Sequence, residues 1–290
     1  MPLPDGARLS LRRFHRGRGD PPVLLLHGAI ENGRIFYPRS GHGLAPFLAR
    51  EGFDAFVADL RGRGRSQPPI GPRSSHGQTE SIVEEIPALA REVAQRTGGA
   101  PQAWVAHSWG GVLMLACWGR LRHELPEIRA MAFFGSKRSV RVFNRERVIK
   151  IDLVWKGLCR ALVAAYGYLP ARSFRLGSDD ETARSWRQSV AWVRPGPFVD
   201  PADGFDYGKA LAGEALIPTR WYAGALDFSL GHAEDVRRLM REVGASEERL
   251  VLLSRSGGAG RDFGHIDMLT HPRALEGHFR DLAAFLRAPT

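Results

Sequence analysis

Ser108, Asp227 and His265 are the residues whose types, order and settings could do chemistry together. Ser108 lies in Ala106-His107-Ser108-Trp109-Gly110-Gly111, between the apolar runs 101–105 and 112–116. That pattern reads as a short strand, a sharp turn with serine at its tip, and a helix. A serine so placed stands clear of the sheet, with helix N-terminal amides beneath it to hold negative charge. Ala106 and Gly110 supply the small residues such a turn needs on either side. An ordinary strand-to-helix turn gives the same pattern, so this segment alone decides nothing. Asp227 closes 217–227 and His265 follows the strand-like run 249–253 and a glycine-rich loop, 256–260. Each therefore falls just past the C-terminal end of a strand, the edge that carries chemistry in open α/β sheets. A serine hydroxyl needs a base to take its proton, and the base needs an acid to orient it. Histidine suits the first task near neutral pH. The chemistry implied is nucleophilic acyl transfer, with Ser108 as nucleophile, His265 as base and Asp227 as orienting acid.

Rival residues serve these roles less well. Asp262 and Asp267 flank His265, but neighbours in sequence rarely face each other for a relay. His232 lies just beyond Asp227, His271 precedes Pro272 at a helix start, and His278 reads as a solvated residue of an amphipathic helix.

Acyl transfer also needs donors aimed at a developing oxyanion, each worth on the order of 10²–10³ in rate. The run 22–26 reads as a strand buried on both faces and leads into His27-Gly28-Ala29-Ile30, a tight turn. The backbone N–H groups of Ala29 and Trp109 are the candidate donors, and His27 reads as a structural hydrogen-bonder closing the strand. Strand-like runs at 23–26, 53–58, 103–106, 129–134, 219–223 and 249–253 alternate with helix-like stretches at 42–51, 79–97, 110–122, 233–243 and 273–287. Residues 7–14 suit an edge strand. Between about 136 and 215 the alternation breaks: 148–166 repeats apolar residues every three or four positions, and a second helical piece spans 180–193.

Taken together, His27-Gly28-Ala29, the loop Asp59-Leu60-Arg61-Gly62-Arg63-Gly64-Arg65-Ser66, His107-Ser108-Trp109-Gly110-Gly111, Gly224-Ala225-Leu226-Asp227 and Gly264-His265 resemble the α/β-hydrolase superfamily over nearly the whole chain. Within it the chain looks most similar to monoacylglycerol-lipase, lysophospholipase and acid-lipase-like esterases. Ala106 departs from the glycine usual at that elbow position. The resemblance implies a mostly parallel central sheet flanked by helices, with core segments 1–135 and 216–290. It makes 136–215 a helical cap, or lid, inserted before the strand that carries the acid. It also makes the arginine-rich loop 59–66 a structural turn rather than an anion site. Trp155, Leu158, Leu162, Tyr166, Trp186 and Trp192 would roof a pocket over Ser108, or pack the cap onto the core. Candidate pocket residues are His27, Ile30, Trp155, Leu158 and Leu162, and an apolar acyl or alkyl substituent is the expected fit.

Carboxylic-ester hydrolysis through an acyl-serine, with no metal or organic cofactor, is the leading expectation. Acyl transfer to an alcohol, and amide, imino-peptide or carbon–carbon bond hydrolysis, use the same residues. A non-catalytic ligand-binding protein of this fold is the rival from another class. An aspartate nucleophile, as in dehalogenase and epoxide-hydrolase chemistry, is disfavoured by Ser108. Composition fits a single α/β domain with an insertion: 290 residues, net charge +10. Of the 41 basic residues, all but Lys137, Lys150, Lys156 and Lys209 are arginine, spread along the chain with acids interleaved. Without a nucleic-acid-binding motif this reads as a solvated basic surface, one that anionic lipid surfaces could attract transiently. The partner expected is a small ester or lipid-like substrate, not nucleic acid; nothing in the sequence sets an oligomeric state. Cys117 and Cys159 show no metal-ligand spacing and read as free buried thiols. No signal-peptide pattern and no apolar run of membrane-spanning length occurs, so the expected location is cytoplasmic.

Overall fold

The computed structural model describes residues 1–288 other than 18 and 214. Continuous apolar runs set its centre. Among the described residues nine strands form: β1 (Ser10–Phe14), β2 (Pro22–Leu26), β3 (Asp54–Asp59), β4 (Gln102–His107), β5 (Ile128–Phe134), β6 (Tyr168–Leu169), β7 (Glu181–Thr182), β8 (Thr219–Gly224) and β9 (Leu250–Leu253). Seven make one sheet in the order β1-β3-β2-β4-β5-β8-β9. Only the edge strand β1 is antiparallel to its neighbour; β2 pairs in parallel with β3 and β4, and β4, β5, β8 and β9 continue in parallel.

Every residue of β2, β3 and β4 is buried, as a parallel sheet covered on both faces requires. The principal helices are α1 (Leu44–Arg50), α2 (Ile86–Arg96), α3 (Trp109–Leu121), α4 (Cys159–Tyr166), α5 (Ala183–Val193), α6 (Ala233–Glu242) and α7 (His278–Arg287). Strand side chains alternate between two layers. Leu24, Leu26, Phe56 and Trp104 meet α2, α3 and α6 on one face. Val23, Leu25, Val57 and Val105 meet α1 and α7 on the other.

His278 corrects the sequence reading. It is 4% exposed, not solvated. Its Nε2 lies 2.6 Å from the Met268 carbonyl oxygen, and Phe263, Phe134, Tyr222 and Phe279 surround the ring. The position shares the stripe of Phe279, Leu282 and Leu286, so a polar-looking residue on the apolar face was read as the outer one. Burial pushes its pKa down from 6.5 to about 4. The unfolded chain therefore binds this proton more readily than the folded one. The resulting stability is complete above about pH 6.5 and lost as pH falls towards 4, roughly 3 kcal/mol for a shift of this size. Half-buried His76, also lowered to about 4 by burial, Arg61 and Arg63, adds in the same direction. Urea melts from pH 7 to 4 should show a fall that is shallower in His278→Gln; an equal slope in that variant would remove His278 as its source.

Between β5 and β8 the strand–helix alternation stops. π-helical turns Val148–Leu158 run into α4, which ends at Gly167 in the left-handed region at φ +77°. The short pair β6–β7 precedes α5, whose start is capped by the Thr182 hydroxyl accepting from the Ser185 amide at 3.0 Å. Cys159, Leu162, Val163, Leu169 and Trp186 form a separate apolar cluster within this segment. Three of the links that tie it to the core lie at the turns after β2 and β3. The amides of Ser178 and Asp179 donate to the Ile30 carbonyl at 2.9 and 3.1 Å. The Asp179 carboxylate accepts from Asn32 Nδ2 at 2.6 Å and the Gly64 amide at 2.8 Å. Buried Arg63 pairs with buried Glu181. The Arg61 charge of the 59–66 loop is also met by acids, Glu84, Glu85 and Asp5. Cys117 and Cys159 are free and buried. Among the described residues no helix is long and apolar enough to cross a membrane.

Candidate active site

Segments past the ends of β2, β4, β5, β8 and β9 build one site. β4 delivers Ser108 at φ +51°, ψ −123°, a left-handed conformation that costs a non-glycine residue about 1–3 kcal/mol. Its amide donates to the Phe134 carbonyl at 2.7 Å, which pins the turn to β5. The elbow is crowded: a Cβ at Gly110 would strike the His27 carbonyl, and one at Gly28 would lie 2.8 Å from the Ser108 Cβ. Smallness at these positions is thus a packing requirement of the turn.

The structure brings together the three residues singled out from the sequence. His265 Nε2 lies 2.9 Å from Ser108 Oγ, and His265 Nδ1 lies 2.5 Å from Asp227 Oδ2. Asp227, 4% exposed, also accepts from the Leu230 amide at 2.9 Å. Burial works to raise its pKa, but His265, a backbone donor at Gly231 and Lys137 outweigh it and hold the carboxyl at about 2. An ionised Asp227 can only accept, which places a proton on His265 Nδ1 and leaves Nε2 to take the serine proton. Burial lowers the His265 pKa below 6.5 despite Asp227. The imidazole is therefore neutral, as a base must be, at neutral pH.

The rivals have other occupations. Asp267 accepts from the Gly264 amide at 2.5 Å and from Arg261, and Asp262 accepts from the Arg255 amide. His232 and His271 cap helical turns, accepting from Glu234 and Arg273 amides, each at 3.1 Å.

A cavity of about 600 Å³ opens on Ser108 and His265, with Ala29 and Trp109 in its wall. The amides of Ala29 and Trp109 donate to no protein acceptor among the described residues. Ile30, Ile35, Ile151, Trp155, Leu176 and Val193 make the wall largely apolar. Of the five pocket residues expected from sequence, Ile30 and Trp155 line it, while His27, Leu158 and Leu162 do not. His27 is fully buried, donating from Nδ1 to the Gly28 carbonyl and accepting the Leu60 amide at Nε2. Leu162 faces the inner cluster with Cys159 and Trp186, and Leu158 is 44% exposed. Helical periodicity locates an apolar stripe without saying which part meets a cavity and which a neighbouring helix.

The charged residues of the cavity escaped the sequence reading, Glu31 and Lys137 among them. Glu31 Oε1 lies 2.5 Å from His107 Nδ1 and accepts the Gly28 amide at the same distance. Burial disfavours charge on both partners, yet their mutual attraction raises the His107 pKa and lowers that of Glu31. Protonated His107 donates from its other nitrogen to the His265 carbonyl at 3.0 Å, which holds the His265 backbone against the elbow. Lys137, in the turn after β5, also lines the cavity. The available signal was a charged residue immediately after an apolar strand, as in Phe133-Phe134-Gly135-Ser136-Lys137.

The family model described as "alpha/beta hydrolase fold" matches residues 21–150. No curated protein sequence matches the chain. Solved structures align over almost its full length. A carboxylesterase of the ammonia-oxidizing Thaumarchaeon Nitrososphaera gargenis is 14% identical, with TM-score 0.62, covering 99% of this chain and 97% of that one. A hydrolase from Pseudomonas aeruginosa PA01 is 19% identical, with TM-score 0.60 and coverage of 99% and 97%. An enol-lactonase from Burkholderia xenovorans LB400 is 17% identical, with TM-score 0.57 and coverage of 98% of both chains. Sheet order, the elbow after β4 and these alignments agree: the chain has the α/β-hydrolase fold.

Proposed function

We propose that the protein is a serine hydrolase that cleaves carboxylic esters through an acyl-serine intermediate. The observation that carries this reading is the hydrogen-bonded series Ser108–His265–Asp227, at 2.9 and 2.5 Å, opening on a largely apolar cavity. Ser108 Oγ attacks the acyl carbon while His265 Nε2 takes its proton. The Ala29 and Trp109 amides receive the negative charge that moves onto the carbonyl oxygen. His265 then returns the proton to the leaving alkoxide, and water repeats the sequence to release the acid. Asp227 holds the imidazole in the required tautomer and stabilises the imidazolium.

Residues 136–215 act as a cap over this pocket, with Ile151, Trp155 and Leu176 at its roof and the Asp179 and Glu181 links as its attachment. The wall favours an apolar group next to the scissile bond, as in the lipase-like esterases that the chain resembles. The carboxylesterase and the enol-lactonase that share the fold point to the same reaction class. Buried free thiols at Cys117 and Cys159 fit a reducing, cytoplasmic setting.

The test is labelling by a fluorophosphonate, read by intact mass and peptide mapping, alongside a p-nitrophenyl ester series of increasing acyl length. One adduct on Ser108, absent from Ser108→Ala, with turnover of at least one ester, is the expected result. Folded protein that neither labels nor turns over would make this a ligand-binding member of the fold. Labelling at Ser108 without ester turnover would move the reading to amide or carbon–carbon bond cleavage.

A further inference from the structure

Lys137 lines the cavity beside Ser108 and Trp109 and, apart from its field on Asp227, takes no proton and makes no contact in the relay described above. It is 6% exposed, and its Nζ lies 5.4 Å from the centroid of the Trp109 ring. Buried ammonium groups are normally paired with an acid, because an uncompensated charge away from water is costly. Lys137 makes no hydrogen bond and no ion pair among the described residues. The nearby acids are already engaged. Asp227 serves His265 and the Leu230 amide. Asp235 accepts from the Arg141 amide and pairs with Arg238. Glu31 is held by His107.

Nothing else around the cavity balances this charge. Arg34, Arg39 and Lys150 also line it, against the single acid Glu31. Lys150 is taken by Glu146, whereas Arg34 and Arg39 form no ion pair among the described residues and stand exposed. The Trp109 indole N–H is a second buried donor without an acceptor. The pocket thus combines an apolar wall with unanswered donors beside the nucleophile. An uncharged acyl chain would leave the ammonium stranded in a dry pocket, and an anionic oxygen group would complete it.

We propose that Lys137 is a specificity-determining residue that binds a carboxylate carried by the substrate, so that the preferred esters are anionic amphiphiles rather than neutral ones. This rests on the ester-hydrolase reading. The carboxylate sits on the acyl or on the alcohol side of the scissile bond, and two matched substrate pairs separate these cases. p-Nitrophenyl hydrogen adipate against p-nitrophenyl hexanoate probes the acyl side. p-(Hexanoyloxy)benzoate against p-(hexanoyloxy)benzamide probes the leaving side.

The wild-type enzyme should prefer the anionic member of one pair in kcat/KM by about tenfold or more, the size expected of a charge-assisted hydrogen bond. Lys137→Met should shift that ratio towards the neutral member by roughly 10–100-fold, and Lys137→Arg should keep part of the preference. The wild-type ratio needs no variant, so it decides the matter even where Lys137→Met does not fold. No preference in either pair, or a ratio that Lys137→Met leaves in place, overturns the proposal and makes Lys137 a structural counter-charge for Asp227. Failure of the ester reading looks different: neither member of any pair is hydrolysed. Protection of Ser108 from the fluorophosphonate by adipate, but not by hexanamide, then still supports the anion subsite, and equal protection overturns it.

Discussion

Ser108→Ala should lower kcat on the best ester substrate by on the order of 10⁶, His265→Ala by as much, and the double variant by no more. The reason is geometric. Ser108 Oγ stands 2.9 Å from His265 Nε2, so neither group has a function in the first step without the other. Groups that act as one unit lose their contribution once. Asp227→Asn should cost about 10⁴, because an amide opposite Nδ1 permits the wrong tautomer while leaving the chain in place. Single-turnover rates on a p-nitrophenyl ester, with the circular dichroism of each variant, give the measurement. Losses that multiply in the double variant would mean that Ser108 and His265 act in separate steps. The pH profile carries the same assignment. Burial lowers the His265 pKa, and the neutral imidazole is the working form. Activity should therefore be full at neutral pH and fall in acid, with its midpoint below 6.5 in kcat/KM; a midpoint above 7 would point to a different base.

The sheet was legible because its strands are short apolar runs bounded by polar or glycine turns. β2, β4 and β5 lie within a residue or two of where the pattern puts them. The three residues of the relay were legible for a related reason, since each lies past the end of such a run: Ser108 directly, Asp227 three residues beyond β8, and His265 across a glycine-rich loop after β9. What the pattern hides is whatever depends on two distant segments meeting. His278 reads as a surface histidine because its neighbours Arg280 and Asp281 are polar, yet the stripe through Phe279 and Leu282 buries it. Glu31 and Lys137 acquire meaning only when β2 and β5 bring their turns to one cavity. Leu158 and Leu162 share one helical stripe, but one faces water and the other an inner cluster that includes residues of α5. In each case the local sequence sets what the residue is, and the tertiary neighbour sets what it does.

Glu181→Ala should destabilise the protein by about 3–5 kcal/mol, the cost of leaving a buried charge without its partner. Glu181 is 2% exposed and Arg63 is 7% exposed, so neither reaches bulk water when the other is removed. Arg63 has little to fall back on: its Nε already lacks a partner, and Nη1 donates to the Gly28 carbonyl at a long 3.3 Å. That last contact gives the pair a role beyond stability. Gly28 belongs to the turn that carries the Ala29 amide, and Glu181 belongs to β7, in the inserted segment. Arg63 thus spans the segment between β5 and β8 and the turn proposed to hold the oxyanion, in parallel with the Ser178 and Asp179 amides that hold the Ile30 carbonyl. Loss of Glu181 should loosen both, and the rate penalty is bounded by that of one oxyanion donor, about 10²–10³ in kcat. Replacing both partners, as Arg63→Leu with Glu181→Leu, removes the stranded charge and should cost less than Glu181→Ala alone. Urea unfolding of Arg63→Leu, Glu181→Leu and their double closes the cycle, with Glu181→Ala measured alongside. A Glu181→Ala loss below about 1 kcal/mol would mean that water reaches Arg63 and that the pair is not what fastens the insertion to the sheet.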